Sequence, residues 1–237
     1  MISKVTNDLA AADFQIGEVL LIDKDSGISS FGIVRKLRKI LGVKKIGHAG
    51  TLDPRATGLM ILCTGKKTKE ISNYQDQFKV YSGAITLGKR TPSMDAETEF
   101  TEEKDFSYIT DADIEKVRKT FLGKIKQLPP MYSALKHKGK ALYKYARKGQ
   151  DVKRELREVE IYDFKINKIE LPDVSFELKC SKGTYIRVIA DDFGQKLGCG
   201  AYLKKLRREA IGQYNVKDAF TLTEFENAIN STPVEKE

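Results

Sequence analysis

The chain has 237 residues, 41% hydrophobic and 32% charged, a composition that excludes a disordered or membranous protein. No apolar run approaches the ~20 residues that a membrane span needs. Lys and Arg number 42 against 33 Asp and Glu, and the formal charge of +9 points to a polyanionic partner, RNA or DNA first, with plain solubility as the alternative.

Residues 1–15 are polar and carry no apolar signal core, so the protein is expected to stay in the cytoplasm. Residues 17–23 (GEVLLID) predict a short apolar strand. Ser29 and Ser30 can cap a helix that runs to about Leu41. Its apolar face is Ile33, Val34, Leu37, Ile40 and Leu41, its other face carries Arg35, Lys36, Arg38 and Lys39, and Gly42 ends it. Residues 43–57 have no period and are rich in Gly and Pro, which predicts a loop. A buried strand over 59–63, a helix over 68–74, an extended stretch over 78–87 and an acidic loop over 91–107 follow. Thr110 caps a helix with Ile114, Val117 and Phe121 inward, closed by Gly123.

Pro129-Pro130 breaks the chain, and 131–149 is basic and tyrosine-rich, with a short helix predicted over 140–148. Residues 159–169 are extended, and Val174, Phe176, Leu178 and Cys180 alternate as a half-buried strand does. Residues 185–197 read as a helix and 202–214 as a strand pair, and Thr221 with Glu224 forms a capping box for a final helix. Strands and helices interleave without a βαβ rhythm, so the fold class is α+β. Cys63, Cys180 and Cys199 are scattered and odd in number, without CxxC, and read as reduced thiols. With His48 and His137 the only histidines, a zinc site is not expected.

The most unusual segment is 47–58, GHAGTLDPRATG, a loop fixed by glycines and a proline between a basic helix and a buried strand. Asp53 precedes Pro54, which lacks an N–H and disfavours a helical conformation before it. Taken alone, Asp-Pro makes an ordinary turn with Asp53 bonded to its own backbone, and His48 is an ordinary loop residue. Residues 58–68 (GLMILCTGKKT) are superficially a phosphate loop, but six residues separate Gly58 from Gly65 and Lys67 stands where Ser or Thr is needed. Nucleotide hydrolysis is excluded on that spacing.

The segment GHAGTLDPRATG resembles the catalytic loop of the TruB-type pseudouridine synthases, G-H-x-G-T-L-D-P-x-A-x-G. Further matches follow in order: GEVLLIDKDSGISS at 17–30, LGKRT at 87–91, MYSALKHKGKALYKYARKG at 131–149, CSKGTYIR at 180–187 and LRR at 206–208. The resemblance spans roughly 17–222. Asp25 stands where the family usually has proline, which predicts a looser turn around Lys24, and Glu209 stands where a small or apolar residue is usual.

The resemblance implies the pseudouridine synthase fold, a mixed and largely antiparallel sheet flanked by helices, as a single catalytic domain over 1–237. It also implies a tRNA-gripping insertion at about 127–155, and at this length the PUA domain of longer bacterial relatives is not expected. The reaction implied is the isomerisation of uridine 55 in the tRNA T loop. It needs no cofactor and no metal, and the expected partner is the T-arm of tRNA, with no membrane and no obligate protein partner, the enzyme acting as a monomer. By the same resemblance Asp53 is the nucleophile and Arg187 its cationic partner. Tyr81 stacks on the uracil and helps remove the proton at carbon 5. Tyr185 and Leu206 lie against the base, His48 fills the vacated stack, and Lys24 belongs to the binding set. Taken alone, Tyr81 is a core aromatic of a strand, and Arg187 is a phosphate contact or a solvated arginine. The basic stretches 36–45, 136–148 and 204–208 suit RNA phosphates, though about half of their lysines are expected only to solvate helix faces. Two rivals remain: a guide-RNA-dependent synthase subunit resembling dyskerin, and a non-catalytic tRNA-binding or folding module.

Overall fold

A computed structural model describes residues 1–6 and 8–231, which divide into two compact units. The first contains 1–80 with the chain from 207 onward, and the second contains 81–206.

In the first unit, β1 (Val19–Lys24) leads through a turn into α1 (Ser30–Leu41). The Ser29 hydroxyl accepts the Gly32 N–H at 3.0 Å, and Gly42 closes the helix in the left-handed region at φ 64°. Ile33, Val34 and Leu37 are buried, whereas Ile40 and Leu41 are only partly so. A three-residue strand, β2 (Ile46–His48), interrupts the stretch expected to be loop throughout. It pairs antiparallel with β3 (Thr57–Thr64), a pairing that no local periodicity announces. β3 is buried on both faces, which is why it reads as a continuous apolar run. One edge of β3 pairs antiparallel with β1 from Val19↔Cys63 to Lys24↔Gly58. Its other edge takes β2 at one end and, in parallel, Arg207 and Arg208 at the other. On one face Val19, Leu21, Leu59, Ile61 and Cys63 pack with Ile211 and Val216. Leu20, Ile22, Met60 and Leu62 alternate to the opposite face and are fully buried.

The helix expected over 68–74 is a 3-10 turn at Gly65–Glu70 followed by a short α-helix at Ile71–Gln75. The capping box of the last helix, Leu222–Ser231, is present: Thr221 N–H donates to Glu224 at 2.7 Å and Glu224 N–H to the Thr221 hydroxyl at 3.2 Å.

In the second unit the strand order is 201–206, 81–87, Asp173–Cys180, Arg157–Glu170, Gly123–Gln127. The last two pairings are antiparallel. The strand Asp173–Cys180 alternates in burial as its sequence does. Gly123–Gln127 (GKIKQ) is a strand that its lysines conceal in the sequence. Helices Asp111–Lys119 and Ile186–Leu197 accompany a cluster of Phe121, Phe164, Phe176 and Phe193, with ring centroids 5.9 to 6.1 Å apart. Phe121 lies beyond the end of the helix whose inward face it was expected to share. The basic insertion forms a small hairpin, Lys136–His137 with Lys140–Ala141, before a shorter helix than expected, Leu142–Ala146.

Candidate active site

β2 ends at His48, opposite Leu62, and the chain must return to the start of β3 at Thr57. Residues 49–56 make that return and carry Asp53 at their middle. The loop is fastened along its length. Ala49 N–H donates to Ile61 O at 2.9 Å. The Ser30 hydroxyl, in the first turn of α1, accepts Leu52 N–H at 2.8 Å and donates to Leu52 O at 2.9 Å. Asp53 opens a turn closed by Ala56 N–H to Asp53 O at 3.1 Å, with Pro54 at the corner its fixed φ suits. The Asp-Pro turn is therefore real, and the Asp53 side chain is half-buried.

Beneath the loop lie two buried cations. Lys24 is fully buried, and its ammonium donates to Asp25 O at 2.8 Å and Pro54 O at 3.1 Å. Gly27 N–H also reaches Pro54 O, at 2.9 Å, so the turn after β1 is tied to the Asp53 loop even without proline at position 25. Burial lowers the Lys24 pKa to about 8, opposed by the Asp53 and Asp25 carboxylates and reinforced by Arg208. Arg208, 1% exposed, donates from Nε to Leu59 O at 2.7 Å and from Nη2 to Gly50 O at 3.2 Å. It is thus no surface phosphate contact, contrary to the expectation for the basic stretch 204–208. Its neighbour Arg207 pairs with Asp23 at 2.6 Å. His48 is half-buried, and burial first, then Arg208, push its pKa below the ordinary value against the Gly50 backbone. Both effects favour the neutral imidazole.

The second unit carries the other expected site residues. Tyr81 is buried in the strand Lys79–Leu87. Arg187 is buried in the first turn of Ile186–Leu197 and donates to Ser93 O at 3.0 Å and Tyr132 O at 2.7 Å. Its Nε lies 3.6 Å from the Asp95 carboxylate. The solvated arginine considered from sequence is therefore ruled out. Tyr185 caps the same helix, and its backbone exchanges two hydrogen bonds with the Gln127 amide at 3.0 and 3.3 Å. Leu206 is half-buried in the strand Ala201–Ile211. Ser30, Asp95, Gln127 and Arg208 support these positions; from sequence Ser30 is read only as a helix cap, and Asp95 and Gln127 are not singled out. For Arg208 a signal was available in the LRR match, and for Ser30 in the match at 17–30.

Residues 38–186 match the TruB family pseudouridylate synthase N-terminal domain, and residues 187–236 match the tRNA pseudouridylate synthase B C-terminal domain. The chain belongs to the TruB family of pseudouridylate synthases. It is 50% identical over 221 residues to tRNA pseudouridine synthase B of Chloroherpeton thalassium, covering 91% of this chain and 92% of that protein. To the same-named protein of Flavobacterium johnsoniae it is 47% identical over 220 residues, covering 90% and 96%. Among solved structures it resembles a chain of a Cbf5–Nop10–Gar1 complex, with a TM-score of 0.71 and 26% identity, covering 96% of this chain and 58% of that one. A structure of an H/ACA ribonucleoprotein bound to a substrate RNA containing 2'-deoxyuridine gives 0.68 and 26%, covering 90% and 53%. The chain therefore has the pseudouridine synthase fold, a mixed, mostly antiparallel architecture with flanking helices. No helix among the described residues is long and apolar enough to cross a membrane.

Proposed function

We propose that the chain is a tRNA pseudouridine synthase that converts uridine 55 of the T loop to pseudouridine, with Asp53 as nucleophile. The observation that carries this is the Asp53 loop: a half-buried carboxylate at the tip of a backbone-bonded loop, in the field of the buried Lys24 ammonium. A nucleophilic carboxylate must be ionised, and a nearby buried cation favours that form. Attack on the anomeric carbon or on carbon 6 of the base both begin from this anion. The bond between N1 of the uracil and the ribose breaks, the base turns, and its carbon 5 bonds the ribose carbon as Asp53 is released; the proton lost from carbon 5 is balanced by one taken up at the freed N1. No atom is gained or lost, so no group donor or cofactor is required.

The target base lies inside a folded loop, and extruding it costs a few kcal/mol. A neutral His48 ring suits the vacated stack, since a charged ring would be costlier to bury among bases. Tyr81, Tyr185, Leu206 and Arg187 keep the roles that the family resemblance gives them, and the insertion at about 127–155 grips the RNA. The enzyme acts in the cytoplasm as a monomer, without guide RNA or obligate protein partner.

The test is to treat a bare T-arm transcript with purified protein and map pseudouridine. Conversion at uridine 55 is expected, with none detectable for Asp53→Asn at nearly unchanged RNA affinity. Modification of the anticodon arm instead, or substantial turnover by Asp53→Asn, removes the reading. A requirement for added guide RNA would favour the dyskerin-like alternative.

A further inference from the structure

We propose that Arg208 is the positioning residue of this site, a single buried fork that clamps both ends of the Asp53 loop; the proposal rests on the reading of Asp53 as nucleophile. The site of the clamp is the edge of β3. β2 pairs with that edge only over Ile46↔Thr64 to His48↔Leu62, and Ala49 extends the bonding by one N–H to Ile61. Beyond it the loop swings away, and the Leu59 carbonyl is left without a partner from β2. Arg208 Nε takes that carbonyl at 2.7 Å. The other arm of the same planar group takes Gly50 O at 3.2 Å. Gly50 and Leu59 bracket the loop, so one rigid group sets the distance between its two ends.

The backbone is built around this contact. Gly58 lies at φ +106°, and a Cβ there would stand 2.3 Å from Arg208 O and 2.6 Å from Arg208 N. Gly58 therefore lets the Arg208 strand approach closely enough for the parallel bridge Arg208↔Gly58. At 1% exposure the guanidinium cannot reach a phosphate. Burying such a cation is costly, and an apolar side chain of similar volume would fill the space more cheaply. What an apolar chain cannot supply is two fixed donors. The charge has a second consequence, because it helps hold both His48 and Lys24 below their ordinary pKa values.

The test compares wild type, Arg208→Lys and Arg208→Met by single-turnover rate and affinity on T-arm RNA, and by amide hydrogen exchange without RNA. Lysine keeps the charge and loses the fork. Arg208→Lys should lose about 10- to 100-fold in single-turnover rate, as expected for a nucleophile misplaced by up to about 1 Å, with affinity changed less than about threefold. Its Ala49 and Ala56 amides should exchange faster, while Leu37 inside α1 is unchanged. In Arg208→Met the His48 pKa should rise as well. If Arg208→Met does not fold, Arg208→Lys decides. A wild-type rate in Arg208→Lys overturns the proposal. So does a rate loss matched by lost affinity, or one accompanied by faster exchange throughout α1 and β1. Were Asp53 not the nucleophile, Asp53→Asn would stay active, while the exchange measurement would still report on the clamp.

Discussion

Lys24 shows how a single residue ties stability to the proposed chemistry. Its amine titrates at about 8 in the fold, against 10.5 in an unfolded chain. Between these values the unfolded chain binds more protons, so folding stability rises with pH across that window. The Lys24 contribution is fully present above about 10.5 and is lost as pH falls through about 8. In urea unfolding over this range, the wild type should gain stability with pH more steeply than Lys24→Met. Equal slopes would show that Lys24 ionises as freely as an exposed lysine. Because the Asp53 carboxylate raises the Lys24 pKa, Asp53→Asn should lower it further, as read by NMR at the lysine Cε. His48 has the same sign: its depressed pKa adds stability above the ordinary value of 6.5, lost as pH falls below it. With His137 the only other histidine, an NMR titration reads His48 directly. At this scale Asp53 and His48 are visible in the sequence as a motif. The burial of Lys24 and Arg208 is not, because a lysine or arginine code is the same on a surface and in a core.

At the scale of elements, caps and glycines carry the testable weight. Ser29→Ala removes the bond to the Gly32 N–H and should destabilise the protein by about 1 kcal/mol, measured by urea unfolding, with chemistry unaffected once folded. Gly58→Ala is a harsher change, since it forces a Cβ to within 2.3 Å of the Arg208 backbone. It should cost several-fold more stability and depress turnover with it; a stable, active Gly58→Ala would mean that the strand crossing is slack. Past the end of α1, Lys44 and Lys45 are exposed and, with Lys66, line an open cleft of about 390 Å³ that contains no acidic residue. This places part of the predicted basic stretch beside the strand that ends at His48. Replacing Lys44 and Lys45 by Ala should weaken RNA binding evenly across sequences and reduce the salt slope by roughly one per lost phosphate contact. An unchanged slope would assign these lysines to solvation. α1, the strand Asp173–Cys180 and the final capping box are legible because local periodicity and capping chemistry decide them. β2 and the strand Gly123–Gln127 are not, because three- and five-residue strands exist only through their partners.

For the molecule as a whole, the charge excess of +9 predicts tRNA binding that weakens steeply with salt. A salt-insensitive affinity would count against a phosphate-dominated interface. The sequence by itself determined the class of fold, the family and the nucleophile candidate. Helical and strand periodicities, the Gly/Pro-fixed loop and a long ordered set of motifs are local information that survives in a string of letters. It did not determine what surrounds Asp53. The Ser30 anchor at Leu52, Lys24 at Pro54, and Arg208 across Gly50 and Leu59 join residues from 22 to 158 positions apart. Asp95 and Tyr132 at Arg187 are likewise distant in the chain. Only tertiary structure decides such contacts, because the physical reason for each is an unpaired backbone carbonyl or amide, or a buried charge, that comes into being when strands pair and loops close.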